Sequence, residues 1–215
     1  DTPYPEYKKA MELGALVNLD DISMVEYLEK YGPLPEWICA RYNPGPLMKE
    51  GNAIIGTPEE AKYGMTREQI FEAFRMMKEK GVKHFGLHTM VVSNELDVNG
   101  LINTAKMMFE LAVDVQKNVG INIEFIDFGG GIGLPYKPEQ SFIDYDVLSK
   151  GIQAHYEEIM VPAGLGNIRM AFECGRAITG PYGYLVTTAI HHKHIWKEYI
   201  GVDACMANLM RPGMY

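Results

Sequence analysis

The chain has 215 residues and a formal net charge of −8 at pH 7, from 20 Lys and Arg against 28 Asp and Glu. This acidic balance, without any Lys/Arg-rich run, argues against a nucleic-acid partner. The sequence also has no apolar run near the roughly 18 residues that a membrane span needs. Cys39, Cys174 and Cys205 lie far apart without CxxC spacing, which argues against a disulfide framework or a zinc site and predicts a reducing cytoplasm.

Short apolar segments alternate with amphipathic ones over the first 173 residues. Strands are predicted over residues 14–19, 37–42, 82–88, 121–128 and 168–173, with helices over 23–30, 66–81, 97–118 and 145–160. The second helix carries a capping box, Thr66 with Gln69, and Gly81 as its end. Near-continuously apolar strands are typical of a parallel sheet covered on both faces. The pattern predicts an α/β fold and leaves open a barrel or a doubly wound sheet.

The alternation of predicted strands and helices ends after residue 173. Residues 184–190 and 198–202 are predicted strands with no helix following either. We therefore predict a first domain over residues 1–180 and the beginning of a β-rich second domain over 181–215.

Polar residues follow the predicted strands, where (β/α) folds carry their catalytic groups. They are Asp20, Asp21, Arg41, Asn43, His88, Asp127, Glu173 and Asp203. Any single member is weak support for a site, because Asp and Gly are common in turns. The full set at one end of the sheet points to a functional site.

Gly129, Gly130 and Gly131 follow a strand, and their backbone N–H groups can face an anion such as a phosphate. A tight turn without a ligand explains the glycines equally well. Glu173 suits a catalytic acid or an ion pair with Arg176. Asp127 together with Glu173 also permits a glycoside hydrolase.

The run from His191 to His194 suggests metal binding, but on a strand only His192 and His194 share a face. No carboxylate in the pattern completes such a site. We interpret the run as a solvated or interface strand and predict no metal.

Five segments, in order, resemble the fold-type III pyridoxal-phosphate (PLP) decarboxylases. They are Arg-Tyr-Asn-Pro at 41–44, Lys-Tyr-Gly at 62–64, Ile-Asp-Phe-Gly-Gly-Gly at 126–131, Glu-Cys-Gly-Arg at 173–176, and Val-Asp through Arg-Pro-Gly-Met-Tyr at 202–215. The Arg-Pro-x-x-Tyr ending favours the diaminopimelate branch. The resemblance implies a partial (β/α)8 TIM-type barrel, about strands four to eight, that runs into the C-terminal β domain.

The resemblance also assigns roles to residues. The cofactor-binding residues would be Ser93, Asp127, Gly129, Gly130, Gly131, Glu173, Gly175 and Arg176. Glu173 would pair with the pyridine nitrogen, and Arg176, Arg211 and Tyr215 would bind the distal carboxylate of the substrate. Met90 stands where the family has a histidine that stacks on the cofactor, so either His88, two residues earlier, supplies the catalytic imidazole or the stacking contact is apolar.

The implied activity of the parent enzyme is PLP-dependent decarboxylation of meso-diaminopimelate to L-lysine, in cytoplasmic lysine biosynthesis. Ornithine, arginine or carboxynorspermidine are alternative substrates, and a catalytically dead binding module is the alternative from a different class. The family's Schiff-base lysine lies at the end of the first barrel strand, before the part that this sequence resembles. We therefore expect a fragment that is inactive by itself, from a parent that forms a homodimer with active sites at its interface.

Overall fold

A computed structural model describes residues 2–47, 57 and 59–210. The chain divides into two compact units, residues 1–178 and 179–215. Within the described residues, no helix is both long enough and apolar enough to cross a membrane.

The first unit alternates strands and helices. Its elements are α1 (Tyr4–Glu12), β1 (Val17–Leu19), α2 (Ser23–Glu29), β2 (Trp37–Arg41), α3 (Arg67–Glu79), β3 (His84–His88), α4 (Val98–Val119), β4 (Ile123–Asp127), α5 (Tyr145–His155), β5 (Arg169–Ala171) and α6 (Gly175–Thr179). All five strands fall inside the predicted strand segments, which confirms them. Helix α1 was not predicted.

The five strands form one parallel sheet in the order β1-β2-β3-β4-β5. Each strand therefore pairs with the next one along the chain. A doubly wound sheet reverses its strand order at a switch point. This sheet has no such reversal in the described residues, so the alternative left open by the sequence pattern is decided in favour of a partial (β/α) barrel.

Local signals set the helix ends as predicted. The Thr66 hydroxyl accepts a hydrogen bond from the Gln69 backbone N–H at 3.3 Å, and the Gln69 side chain accepts one from the Thr66 backbone N–H at 2.9 Å. This reciprocal pair satisfies two of the N–H groups that a helix start leaves free. Gly120 ends α4 with φ +70°, a left-handed conformation that favours glycine.

The apolar faces of the helices cover the outer side of the sheet. Ile70, Phe74 and Met77 of α3 are fully buried, as their spacing predicts. In α4 the predicted stripe of Leu101, Ala105, Met108, Ala112 and Val115 is buried, together with Phe109. The predicted helix 145–160 is α-helical to His155 and continues as a π-helical turn to Met160.

The second unit contains an antiparallel hairpin of β6 (Ala189–His194) and β7 (Glu198–Val202). Strand 198–202 is confirmed, but the strand predicted over 184–190 begins too early: pairing starts where Ala189 faces Val202, so only its last two residues belong to β6. Before that point, Asp203 accepts hydrogen bonds from the Thr187 hydroxyl at 2.6 Å and the Thr188 N–H at 2.9 Å.

Candidate active site

Three ionisable side chains meet at the carboxyl edge of the sheet. His88 ends β3, Asp127 ends β4, and Glu173 follows β5. One ligand atom from each lies within 4.8 Å of the other two. Because parallel neighbouring strands end at the same edge, residues 39 and 46 positions apart in the sequence become neighbours here.

In the described residues, the His88 ring makes a hydrogen bond through only one of its two nitrogens. Its Nδ1 lies 2.8 Å from Nδ2 of Asn18 on β1. With the amide nitrogen as donor, Nδ1 is the acceptor and the proton of the neutral imidazole is on Nε2. That Nε2 is buried without a hydrogen-bond partner in the described residues, and it lies 3.7 Å from a Glu173 oxygen. A distance of 3.7 Å is too long for a hydrogen bond, so the site contains an unsatisfied buried donor.

The surroundings of His88 keep its imidazole neutral. Burial lowers the pKa of His88 below its usual 6.5, and the positive charge of Arg41 lowers it further. Asp127, Glu173 and Asp20 act in the opposite direction without reversing the shift. Arg41 also lies 3.4 Å from Asp20, so part of its charge is offset.

This lowered pKa makes stability depend on pH. Unfolded His88 takes up a proton as the pH falls through 6.5, whereas folded His88 resists protonation until a lower pH. The contribution of His88 to the free energy of unfolding is therefore fully present above pH 6.5, and it is lost as the pH falls through the pKa of the folded state. We expect the unfolding free energy of the wild type to fall more steeply than that of His88→Gln between pH 7.5 and 5, in urea titrations. Parallel curves would contradict this.

The glycine turn adjoins Glu173 directly. The Glu173 N–H donates to the Gly129 carbonyl at 2.8 Å, and the Gly129 N–H donates to Asp127 Oδ1 at 2.9 Å. Asp127 therefore shapes the turn through one carboxylate oxygen. The turn and Glu173 lie on the same rim of the sheet.

Protein packing alone requires glycine in this turn. A Cβ on Gly129 would lie 2.3 Å from the Thr89 carbonyl oxygen, and one on Gly131 would lie 2.4 Å from that of Val92. At Gly130 the closest atom would be the Glu173 carbonyl oxygen, at 2.8 Å. The tight-turn explanation of these glycines is therefore sufficient, and an anion site needs separate support.

That support comes from the backbone donors. Within the described part of the chain, the N–H groups of Gly130 and Gly131 make no hydrogen bond. The Gly131 carbonyl instead accepts from Glu95 at 2.8 Å, which ties the turn to the loop that carries Ser93. Ser93 is half-buried, and its hydroxyl makes no hydrogen bond in the described residues. Two N–H groups and a hydroxyl are thus available for a phosphate.

Other predicted residues lie nearby or outside the described range. Gly175 begins α6, two residues after Glu173. The Arg176 guanidinium lies 5.9 Å from the ring centroid of Tyr136, and the ion pair between Glu173 and Arg176 is not formed in the described residues. Arg211 and Tyr215 lie outside the described residues.

Two sequence interpretations are corrected by the structure. Asp203 does not follow a strand of the parallel sheet, because it follows β7 of the separate hairpin. The histidine run does have a carboxylate: Glu198 contacts both His192 Nε2 and His194 Nδ1. Cross-strand pairing brings Glu198 beside His194, and the one-dimensional pattern does not reveal this.

Asn18 is the site residue that the sequence interpretation missed. It is the one polar residue between Val17 and Leu19, which are both buried. Successive strand residues point to opposite faces of the sheet. A single polar residue between two buried apolar ones therefore indicates a side chain on the other face, and this pattern could have identified Asn18 as a site candidate.

The fold and this strand-end site define the class of the protein. Residues 6–180 match the family model described as "Pyridoxal-dependent decarboxylase, pyridoxal binding domain". The chain belongs to this family, and the resemblance, the partial barrel and the pyridoxal cofactor predicted from the sequence are confirmed at the level of the family. The glycoside hydrolase alternative is thereby set aside.

Two curated relatives match nearly the whole chain. Protein TabA of Pseudomonas amygdali pv. tabaci is 31% identical over 215 residues, which are 100% of this chain and 50% of that protein. Diaminopimelate decarboxylase of Methanothermobacter thermautotrophicus is 31% identical over 210 residues, 98% of this chain and 49% of that protein. The chain thus spans about half the length of these relatives.

Solved structures support the fold. A crystal structure of diaminopimelate decarboxylase aligns with a TM-score of 0.82 at 24% identity, covering 100% of this chain and 49% of that one. The Helicobacter pylori diaminopimelate decarboxylase complexed with L-lysine aligns with a TM-score of 0.81 at 24% identity, covering 96% and 51%. The lysine/ornithine decarboxylase complexed with putrescine from Vibrio vulnificus aligns at 0.74 with 16% identity, covering 100% and 53%.

Proposed function

We propose that this chain is the greater part of the cofactor-binding barrel of a PLP-dependent decarboxylase that converts meso-diaminopimelate to L-lysine. The observation that carries the proposal is the adjacency of Glu173 and the glycine turn, joined by the 2.8 Å hydrogen bond from the Glu173 N–H to the Gly129 carbonyl. One small molecule can then contact an acidic side chain at one end and unpaired backbone donors at the other. The Arg-Pro-x-x-Tyr motif and the similarity to diaminopimelate decarboxylases support the substrate.

The available groups fit PLP. The phosphate would accept hydrogen bonds from the N–H groups of Gly130 and Gly131 and from Ser93, while Asp127 holds the turn through Gly129. When bound, the cofactor supplies an electron sink for the bond that breaks as carbon dioxide leaves. Glu173 would keep the pyridine nitrogen protonated, which that role requires. His88, whose Nε2 lies 3.7 Å from a Glu173 oxygen, would supply the imidazole beside the cofactor.

The substrate would be held by Arg176, with Arg211 and Tyr215 as further partners. A guanidinium binds a carboxylate through two parallel hydrogen bonds, which suits the distal carboxylate of diaminopimelate. Ornithine, arginine and carboxynorspermidine are the alternative substrates. We further propose that residues 181–215 begin the C-terminal β domain, and that the parent is a cytoplasmic homodimer with active sites at its interface.

The 215 residues by themselves are proposed to be inactive. Within the described residues, no lysine forms a hydrogen bond or ion pair with His88, Asp127 or Glu173. We propose that the lysine that anchors the cofactor lies in the half of the parent that these residues do not cover. A catalytically dead binding module is the second candidate, and it would lack that lysine altogether.

The test is cofactor trapping in the parent-length protein. After incubation with PLP and reduction with borohydride, mass spectrometry should find a pyridoxyl group on one lysine outside this chain. Carbon dioxide release should be greatest with meso-diaminopimelate among the four candidate substrates. No labelled lysine and no carbon dioxide release would defeat the enzyme proposal and favour the binding module.

Gly175→Ala separates cofactor contact from folding. A Cβ at Gly175 would meet no heavy atom within 4 Å, so the fold should be retained. If the phosphate lies against Gly175, the added methyl should weaken PLP binding at least about tenfold, or roughly 1.4 kcal/mol. Gly183→Ala is the matched control, because its Cβ also meets nothing within 4 Å. Absorbance titration of the parent-length protein with PLP measures both, and equal affinities would remove Gly175 from the site.

A further inference from the structure

We propose that the side chain of Met90 lies against one face of the cofactor ring and holds the ring through its thioether. This inference rests on the proposed function and adds a cofactor contact to it. The sequence left two alternatives open, an imidazole from His88 or an apolar contact on the ring. The geometry around Met90 favours the apolar contact for the face of the ring.

Met90 is a partly exposed residue between two buried ones. Thr89 and Val91 are 0% and 4% exposed, whereas Met90 is half-buried. The Thr89 N–H donates to the Asp127 carbonyl at 3.1 Å, and the Thr89 hydroxyl donates to the Tyr42 carbonyl at 3.0 Å. The Met90 side chain therefore extends from a fixed stretch of backbone at the carboxyl edge of the sheet.

The Met90 side chain runs along the glycine turn toward Glu173. A Cβ on Gly129 would lie 2.9 Å from the Met90 Cβ, and a Cβ on Gly130 would lie 3.6 Å from the Met90 methyl carbon, Cε. The same point beside Gly130 lies 2.8 Å from the Glu173 carbonyl oxygen. The end of the Met90 side chain is thus close to both the turn and Glu173. A molecule that bridges the turn and the Glu173 carboxylate passes beside this methyl group.

His88 and Met90 occupy different parts of the site. The His88 ring is held by Asn18 at 2.8 Å, and its Nε2 lies 3.7 Å from Glu173 Oε2. The imidazole is therefore fixed beside the carboxylate, at the end of the site assigned to the pyridine nitrogen. Met90 lies along the turn instead, where its thioether can contact the face of the ring.

A thioether suits the face of this ring. PLP acts as an electron sink, so its ring is electron-poor. The sulfur of methionine is polarizable and makes favourable contacts with aromatic rings, and the unbranched side chain adapts to their shape. The thioether has no proton to give and is only a weak acceptor. Met90 would therefore hold the ring without competing with Glu173 for the proton on the pyridine nitrogen.

The first test is protection of Met90 from oxidation in the parent-length protein. Peroxide converts methionine to its sulfoxide, and peptide mass spectrometry measures this conversion at each position with and without PLP. We expect bound PLP to slow the conversion of Met90 at least about fivefold, because the covered sulfur is less accessible. Met76 is the matched control, since it is also half-buried but lies near the end of α3, away from the rim. Its rate should not change.

Met90→Ala tests the same contact through affinity. It retains the Cβ that packs on Gly129, so the turn should stay in place. Absorbance titration of the parent-length protein should show PLP affinity lowered about threefold to tenfold by the lost contact with the ring. Met90→Leu, which keeps an apolar side chain, should lose less, and Met76→Ala should bind PLP like the wild type.

The outcomes separate this contact from the proposed function. If PLP binds but Met90 oxidises equally fast with and without it, or Met90→Ala binds PLP as tightly as the wild type, the contact is overturned and the proposed function stands. If no PLP binds to the wild type, the proposed function fails, and this inference fails with it. Should Met90→Ala not fold, the oxidation experiment decides, because it needs no substitution.

Discussion

Gly129→Ala is expected to lower the unfolding free energy by about 3 kcal/mol. Gly129 has φ +72°, where an L-residue costs roughly 1 to 2 kcal/mol. The new Cβ would also lie 2.3 Å from the Thr89 carbonyl oxygen, an overlap that adds about 1 to 3 kcal/mol. Relief of this overlap would move the turn away from Glu173, so PLP affinity should fall as well.

Gly14→Ala is the control for Gly129→Ala. Gly14 has φ +71°, and a Cβ there meets no atom within 4 Å, so it carries the backbone penalty without the overlap. Urea unfolding of both variants isolates the overlap as the difference between them. Equal losses would mean that the turn is not packed against the loop after β3 as described.

Phe109→Ala is expected to cost about 3 to 5 kcal/mol, because it removes a fully buried aromatic side chain and leaves a cavity. Phe109 of α4 packs edge-to-face on Phe128, with ring centroids 5.7 Å apart. Phe128 directly precedes the glycine turn, so this contact helps to fix the position of the turn. The same substitution at Phe142, which is 60% exposed, should change stability by less than about 1 kcal/mol. Similar losses at the two positions would contradict the described core.

The sequence predicted the parts of the fold that local chemistry determines. The capping box of Thr66 and Gln69 and the buried stripe of α4 follow from side-chain spacing along a helix, so the sequence alone predicts them. Helix α1 was missed because it has no buried residue and no side-chain cap. The error over 184–190 arose because strand pairing with residues far along the chain, rather than apolarity, decides where β6 begins.

Some features of the candidate site could likewise be predicted from the sequence, and others could not. Strand-end positions predicted His88, Asp127 and Glu173, since parallel strands end at one edge. Their mutual distances, the unsatisfied Nε2 of His88 and its bond to Asn18 depend on strand order and register, which the pattern leaves open. The contact of Glu198 with two histidines was missed for the same reason.

A crystal structure of the chain grown with PLP tests the central claim most directly. The account predicts phosphate oxygens within hydrogen-bond distance of the Gly130 and Gly131 N–H groups, and the pyridine nitrogen within hydrogen-bond distance of a Glu173 carboxylate oxygen. An ordered PLP molecule that contacts Glu173 but not the turn, or the turn but not Glu173, would contradict it.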